Sequence, residues 1–165
     1  MLLSALAVIY GGVLASILLS ASWGWTTNAL SDLGRATVAT APIFNGSLAV
    51  GGILLVAHGV RRGGPTGAAT AVSGGFLVLV ATFDESYGFL HFAVSAAFFL
   101  SLAAYLIVSG TRFRDPVPFV LLVAGAASWV LSPYVGVTGV AIPEALSFTL
   151  AAAWMVLEEL RSPSR

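Results

Sequence analysis

Six long apolar stretches constrain this chain more than any other feature of its sequence. A helix needs about 20 mostly apolar residues to cross the hydrocarbon core of a bilayer. The stretches approach that length and run over residues 2–21, 42–60, 67–83, 87–109, 118–131 and 142–157. Pro133 either ends the fifth helix or kinks it. We predict an all-α, polytopic membrane protein, in which residues 1–165 form a single domain of six transmembrane helices in one bundle.

The low charge content excludes several other classes of protein. The chain has 7 basic and 7 acidic residues, which make up 8% of it, against 58% hydrophobic residues. Soluble domains carry about 25% charged residues, so a soluble domain is excluded. The apolar content also excludes intrinsic disorder. A net charge of +0 offers no basic surface, so we expect no nucleic-acid partner. Without Cys, thiolate catalysis and Cys-ligated metal sites are excluded.

The distribution of arginines predicts the orientation in the membrane. With six spans, the second and fourth connections lie on the same side as both termini. That side holds six of the seven arginines: Arg61, Arg62, Arg112, Arg114, Arg161 and Arg165. The positive-inside rule then places both termini in the cytoplasm of a multi-pass cell-membrane protein. Arg35 is the one arginine on the opposite, outer side.

The predicted cytoplasmic side is interpreted as plain anchoring. His58, next to Arg61 and Arg62, is typical of an interfacial residue. Trp154 fits an aromatic belt at the same boundary. Glu158 closes the last helix in this interpretation. No function is expected on this side.

Polar residues gather in the outer third of the predicted bundle. None of the charged residues lies at the middle of a span, which disfavours ion-coupled transport because pumps and transporters usually place ionisable groups deep in the bilayer. Our candidate ligand-binding residues are Asn28, Ser31, Asp32, Asn45, Asp84, Glu85, His91 and Glu144. Ser95 lies four residues after His91 and shares its helix face. These residues predict an outward-facing polar pocket for a lipid headgroup, a cation or a small solute.

Structural roles are the alternative for the same residues. Asp84 is suited to cap a helix, and Glu144 to complement a helix dipole. Asp32 is suited to pair with Arg35, and Asn45 to bond another helix. The residues assign no catalytic group and no cofactor, and they leave enzyme activity open. Zinc, calcium and magnesium sites also stay open, since carboxylates and histidine bind these ions.

A second functional alternative is a structural or accessory subunit of a larger membrane complex. The small size and the short loops favour it. Beyond the lipid bilayer, the partners would then be another membrane protein or further copies of the chain.

The longest outer connection, residues 22–41, carries a sequence motif. We expect a short interfacial helix over 29–33, with Thr27 as its cap. The run Asn28-Ala29-Leu30-Ser31-Asp32-Leu33-Gly34 resembles the N-x-L-S-D-L-G signature of domain-of-unknown-function family 998. Further similarities to that family are Phe44-Asn45, His91 and Ile142-Pro143-Glu144. Ala29 replaces a proline that is often expected there, which implies a less rigid turn. The resemblance covers nearly the whole chain. It implies a multi-helix membrane protein but no particular activity.

Overall fold

The computed structural model describes residues 1–161, and these form helices joined by short connections. The helices are α1 (Leu2–Leu19), α2 (Ala41–Arg62), α3 (Gly64–Thr82), α4 (Phe89–Phe113), α5 (Val117–Leu131) and α6 (Ala141–Arg161). Three 3-10 turns cover Leu30–Gly34, Glu85–Tyr87 and Ser132–Val135. Six segments are long and apolar enough to cross a membrane, the fifth running from Val117 to Val135. The described residues contain no strand. The predicted all-α multi-pass membrane fold is therefore confirmed. Arg165, counted above, lies outside the described residues.

Several helices run beyond the apolar stretches that predicted them. Arg61 and Arg62 form the last turn of α2, and Arg161 lies in the last turn of α6. Positive side chains there interact favourably with the negative end of the helix dipole. At 1.5 Å per residue, the 25 residues of α4 span about 37 Å, more than the hydrocarbon core of about 30 Å. The apolar stretches thus predict the middle of these helices but not their ends.

Pro133 follows the end of α5 rather than kinking it. The α-helix stops at Leu131, and the 3-10 turn Ser132–Val135 extends it. Pro133 lies in the first turn of this element, where a missing N–H costs little because the first N–H groups have no helical partner. Gly136, in the left-handed conformation with φ of 81°, then ends this turn.

Glycines bring α2 and α3 into close contact. A Cβ added to Gly59 would collide with the carbonyl of Gly67 and with the backbone of Ala71, and Gly52 and Gly74 approach each other in the same way. Lipid tails are as apolar as side chains, so membrane helices associate largely through such tight packing. Only Gly63, with φ of 67°, separates the two helices in the chain.

The helices form a ring in the order α1, α2, α3, α4 and α6, and α5 packs against α4 and α6. The seam between α1 and α6 has the lightest packing of the ring. Tyr10 Oη donates to Thr149 Oγ1 there at 3.0 Å, and the Tyr10 and Phe148 rings lie 5.3 Å apart. We call the end of the bundle that carries residues 28–34 the motif end, and the opposite one the arginine end.

Candidate functional site

Asp32 organises the segment of residues 28–34, which we call the motif segment. One carboxylate oxygen, Oδ2, accepts the N–H of Ala29 and the side-chain amide of Asn28, each at 2.9 Å. It thereby satisfies donors at the start of the 3-10 helix Leu30–Gly34. The predicted short helix is thus present, but Thr27 is not its cap. The Thr27 hydroxyl instead donates to Asn28 Oδ1 at 3.2 Å.

The far end of the motif segment is held by α2 and the residue before it. Asn45 Nδ2 donates to the carbonyl of Gly34 at 2.7 Å, and Thr40 Oγ1 donates to the carbonyl of Leu33 at 2.8 Å. Gly34 packs so closely on Asn45 and Phe44 that a Cβ would collide with both side chains. These contacts explain why the segment ends in glycine and why α2 carries an asparagine at position 45.

Arg35 links the motif segment to the neighbouring loop. Its guanidinium donates to Asp32 Oδ1 at 3.1 Å and to Glu85 Oε2 at 2.9 Å. Asp84 does not join this contact, because its Oδ1 accepts the N–H of Ser86 at 2.7 Å. Asp84 therefore caps the turn Glu85–Tyr87, whereas the structural alternative had it cap the helix of His91, which has Gly88 at that position.

The pKa values of the two carboxylates that contact Arg35 are shifted in opposite directions. Burial acts to raise the pKa of Asp32, but hydrogen bonds from Asn28 and Ala29 and the charge of Arg35 hold that pKa below its ordinary value. Burial and the nearby Asp32 carboxylate raise the pKa of Glu85 in spite of Arg35. Of the two carboxylates that contact Arg35, Asp32 therefore stays ionised to the lower pH.

Glu144 joins the motif segment to α6. Its Oε2 accepts the N–H of Leu30 at 2.7 Å, and the N–H of Ala141 donates to the carbonyl of Asn28 at 2.9 Å. Among the described residues, Oε1 of Glu144 has no hydrogen-bond partner, and the carboxylate forms no ion pair. One oxygen of this carboxylate is thus left available.

A cleft lies beneath the motif segment, inside the ring of helices. It encloses about 520 Å³ of empty volume, including space that is open to solvent. Its lining residues are Ile9, Val13, Leu30, Ser31, Phe44, Leu48, Leu77, Val80, Ser95, Phe98, Phe99, Glu144 and Phe148. The walls are mostly apolar. Two hydroxyls and one carboxylate supply the polar side chains, and Glu144 is the one ionisable residue in the lining.

The structure distributes the eight predicted site residues over different positions. Ser31 and Glu144 line the cleft. Asn28, Asp32, Asn45, Asp84 and Glu85 make the contacts described above. The buried His91 places Nδ1 2.7 Å from the carbonyl of Phe83 and Nε2 3.3 Å from the hydroxyl of Ser95. Over residues 1–161, no group of three His, Cys, Asp or Glu side chains could hold a metal ion.

Comparison with protein families identifies the chain. A family model described as a protein of unknown function (DUF998) matches residues 3–158. The chain belongs to the DUF998 family. The predicted membership of this family is therefore confirmed, and the match covers nearly the whole sequence. No curated protein and no solved structure matches the chain.

The sequence analysis of this DUF998 chain missed a buried polar network at the arginine end. Glu158 is 3% exposed and accepts hydrogen bonds from Tyr105 Oη at 2.7 Å and Ser109 Oγ at 2.9 Å. Arg62 pairs with Glu158 at 2.8 Å and also contacts Glu159. The interpretation of Glu158 as plain anchoring is therefore wrong. The available signal was the four-residue spacing of Tyr105 and Ser109, which places both on one helix face.

Two further residues of the DUF998 chain belong to the same end. Trp154 is 1% exposed and donates its indole N–H to Ser109 Oγ at 2.6 Å, so its assignment to an aromatic belt is wrong. His58 is also buried, with Nε2 3.7 Å from Glu159. The four-residue spacing of Trp154 and Glu158 would have indicated a shared inward face.

Proposed function

We propose that this membrane protein binds an amphiphilic molecule in the cleft beneath the motif segment. The apolar part of the ligand lies among the helices, and its polar head lies at Glu144. The supporting observation is the lining itself: it is mostly apolar and includes Glu144, whose carboxylate oxygen Oε1 has no hydrogen-bond partner in the described part of the chain. Binding pockets are typically concave, apolar and equipped with a few polar groups.

The positive-inside rule predicts which side of the membrane the cleft faces. The arginine end carries Arg61, Arg62, Arg112 and Arg114, so we place that end in the cytoplasm and the cleft towards the outside of the cell membrane. The ligand then comes from the outer leaflet or from the outer medium.

In this proposal most motif residues position the site rather than contact the ligand. Asp32 and Asn45 fix the two ends of the motif segment, and the segment presents the N–H of Leu30 to Glu144. Such supporting hydrogen bonds lock the geometry of the groups that touch a ligand. Ser31 lies in the same segment and lines the cleft.

The test is native mass spectrometry of the protein released gently from its own membranes at native expression level. Two variants on α3 form a matched pair. Val80 lines the cleft and is 9% exposed, whereas Val72 faces the lipid and is 52% exposed. We expect a fixed extra mass on the wild type and on Val72→Phe. Val80→Phe fills the cleft, so we expect its affinity to fall about tenfold, which corresponds to 1.4 kcal/mol of binding free energy, and its bound fraction to fall with it.

Two results would contradict the proposal. One is a wild-type protein without any bound mass, and the other is a Val80→Phe variant with unchanged occupancy. Stoichiometric release with larger subunits and no bound small molecule would favour the accessory role.

A further inference from the structure

We propose that the ligand is an amphiphile with a primary ammonium head, which enters the cleft from the bilayer between α1 and α6. This inference rests on the proposed function and names its substrate class. It follows from the charge of the cleft, from its hydrogen-bonding groups, from its apolar lining and from the contacts around it.

The charge of the cleft favours a cationic head. Glu144 is the one ionisable residue among the described residues that line it. The nearby cation Arg35 is already bound to Asp32 and Glu85. A carboxylate in apolar surroundings is stable only when it is paired or hydrogen-bonded. A phosphate or carboxylate head would find no cation among the described residues that line the cleft, whereas an ammonium ion pairs with the Glu144 carboxylate.

The hydrogen-bonding groups of the cleft favour a primary amine. An ammonium group has three N–H donors and no acceptor. The lining offers it the free Oε1 of Glu144 and the hydroxyls of Ser31 and Ser95. The Ser31 side chain forms no hydrogen bond within residues 1–161, and the Ser95 hydroxyl bonds His91 alone. The carboxylate oxygen and both hydroxyl oxygens can accept hydrogen bonds from such an ammonium group.

The lining of the cleft favours an apolar chain on the ligand. The apolar part of the lining includes Phe98, Phe99 and Phe148, which provide aromatic surface for a hydrocarbon tail.

The contacts around the cleft favour entry of the ligand from the lipid. On the motif end, the carbonyl of Thr26 accepts N–H groups of Thr138 and Gly139, both at 2.8 Å, and Asn28 is tied to Ala141. The side between α1 and α6 is closed by the Tyr10–Thr149 hydrogen bond and the Tyr10–Phe148 ring contact. Side chains can move aside more easily than a bonded backbone, so this seam is the route from the bilayer.

The test measures equilibrium binding of radiolabelled dodecylamine to the protein in phosphatidylcholine nanodiscs at pH 7, with empty nanodiscs as the background. Unlabelled dodecanol is the neutral competitor of equal chain length. We expect dodecylamine to bind the wild type about tenfold more tightly than dodecanol, because hydrogen bonds to charged groups are the stronger ones. This comparison needs no variant and is independent of any folding defect.

Two variants on α6 locate the effect. Glu144→Gln keeps a carbonyl oxygen for the N–H of Leu30 but removes the charge. We expect its dissociation constant for dodecylamine to rise about tenfold, with dodecanol binding unchanged. Glu159→Gln is the control, because Glu159 lies at the arginine end and 49% of its side chain is exposed. It should bind both probes like the wild type.

The outcomes separate the two proposals. Equal affinity of the wild type for dodecylamine and dodecanol would overturn the ammonium head, and so would unchanged amine binding by Glu144→Gln. In either case, a loss of binding in Val80→Phe would leave the amphiphile site standing. If neither probe binds above the empty nanodiscs, both proposals fail.

Discussion

At the scale of single residues, Asp32 and Glu85 give the motif segment two opposite pH dependences. The pKa of Asp32 lies below its ordinary value of 3.8, so its stabilising contribution is present above pH 3.8 and is lost as the pH falls through the lowered pKa. The pKa of Glu85 lies above its ordinary value of 4.5, so its contribution is complete below pH 4.5 and is lost as the pH rises through the raised pKa.

The segment should therefore be most stable between pH 3.8 and pH 4.5. Hydrogen-exchange protection of the Ala29 and Leu30 amides, corrected for intrinsic exchange, measures this local stability. Glu85→Gln should reduce the decline on the neutral side. A decline of equal size in that variant would contradict the assignment to Glu85.

Gly34 is a second residue whose role is testable alone. A Cβ there would collide with Asn45 and Phe44, so we expect Gly34→Ala to lower the free energy of unfolding by about 1–3 kcal/mol. Gly46→Ala is the control, because no atom lies within 4 Å of a Cβ at that helical position. Helix propensity should make it neutral or slightly stabilising. Denaturation in mixed detergent micelles measures both, and similar losses would refute the packing argument.

Glu158 should be the most costly charge to remove at the arginine end. Glu158→Ala takes away the acceptor shared by Tyr105, Ser109 and Arg62, and breaking a buried pair costs about 3–5 kcal/mol. Glu159→Ala removes a side chain that is 49% exposed, so we expect a loss below about 1 kcal/mol. The same unfolding assay compares them. Equal losses would mean that burial of Glu158 does not set its energetic role.

At the scale of helices, the contact of α2 with α3 makes the clearest prediction. Gly59→Ala and Gly75→Ala both gain helix propensity, but only the Cβ at residue 59 meets backbone of the facing helix. We expect Gly59→Ala to lower the free energy of unfolding by about 1–3 kcal/mol. Gly75→Ala should leave it unchanged or raise it slightly. Equal behaviour of the two variants would show that the backbones are less close than described.

The helices also show what could be predicted from sequence. Apolar length is a local property, so the number and order of the helices followed from the six stretches. The ends of the helices could not be predicted in this way, because Arg61, Arg62 and Arg161 continue α2 and α6 beyond the apolar stretches. The short helix before α2 was predicted at nearly the right place, but its cap was not. Thr27 and Asp32 are both good cappers, and only the folded chain shows which one meets the N–H of Ala29.

At the scale of the whole molecule, sequence separation decides how much of the site could be predicted. Asp32 and Arg35 are three residues apart, so their ion pair was expected. Leu30 and Glu144 are 114 positions apart, and their hydrogen bond depends on how α6 packs beside the motif segment. The cleft itself draws residues from five helices, so no local pattern could reveal it. In the network of Glu158, the local spacing of Tyr105 and Ser109 indicated a shared helix face, but their partner Glu158 on α6 depends on the packing of α4 with α6.

The absence of Cys from the sequence allows a direct test of whether the cleft is occupied. Ser31→Cys places a thiol in the lining of the cleft, and Ser86→Cys places one on an exposed turn at the motif end. The measurement is the rate of maleimide labelling in native membranes, compared with protein stripped of lipid and returned to phosphatidylcholine vesicles. A bound amphiphile predicts that stripping speeds labelling of Ser31→Cys several-fold and leaves Ser86→Cys unchanged. Equal rates for Ser31→Cys in both preparations would contradict occupation of the cleft.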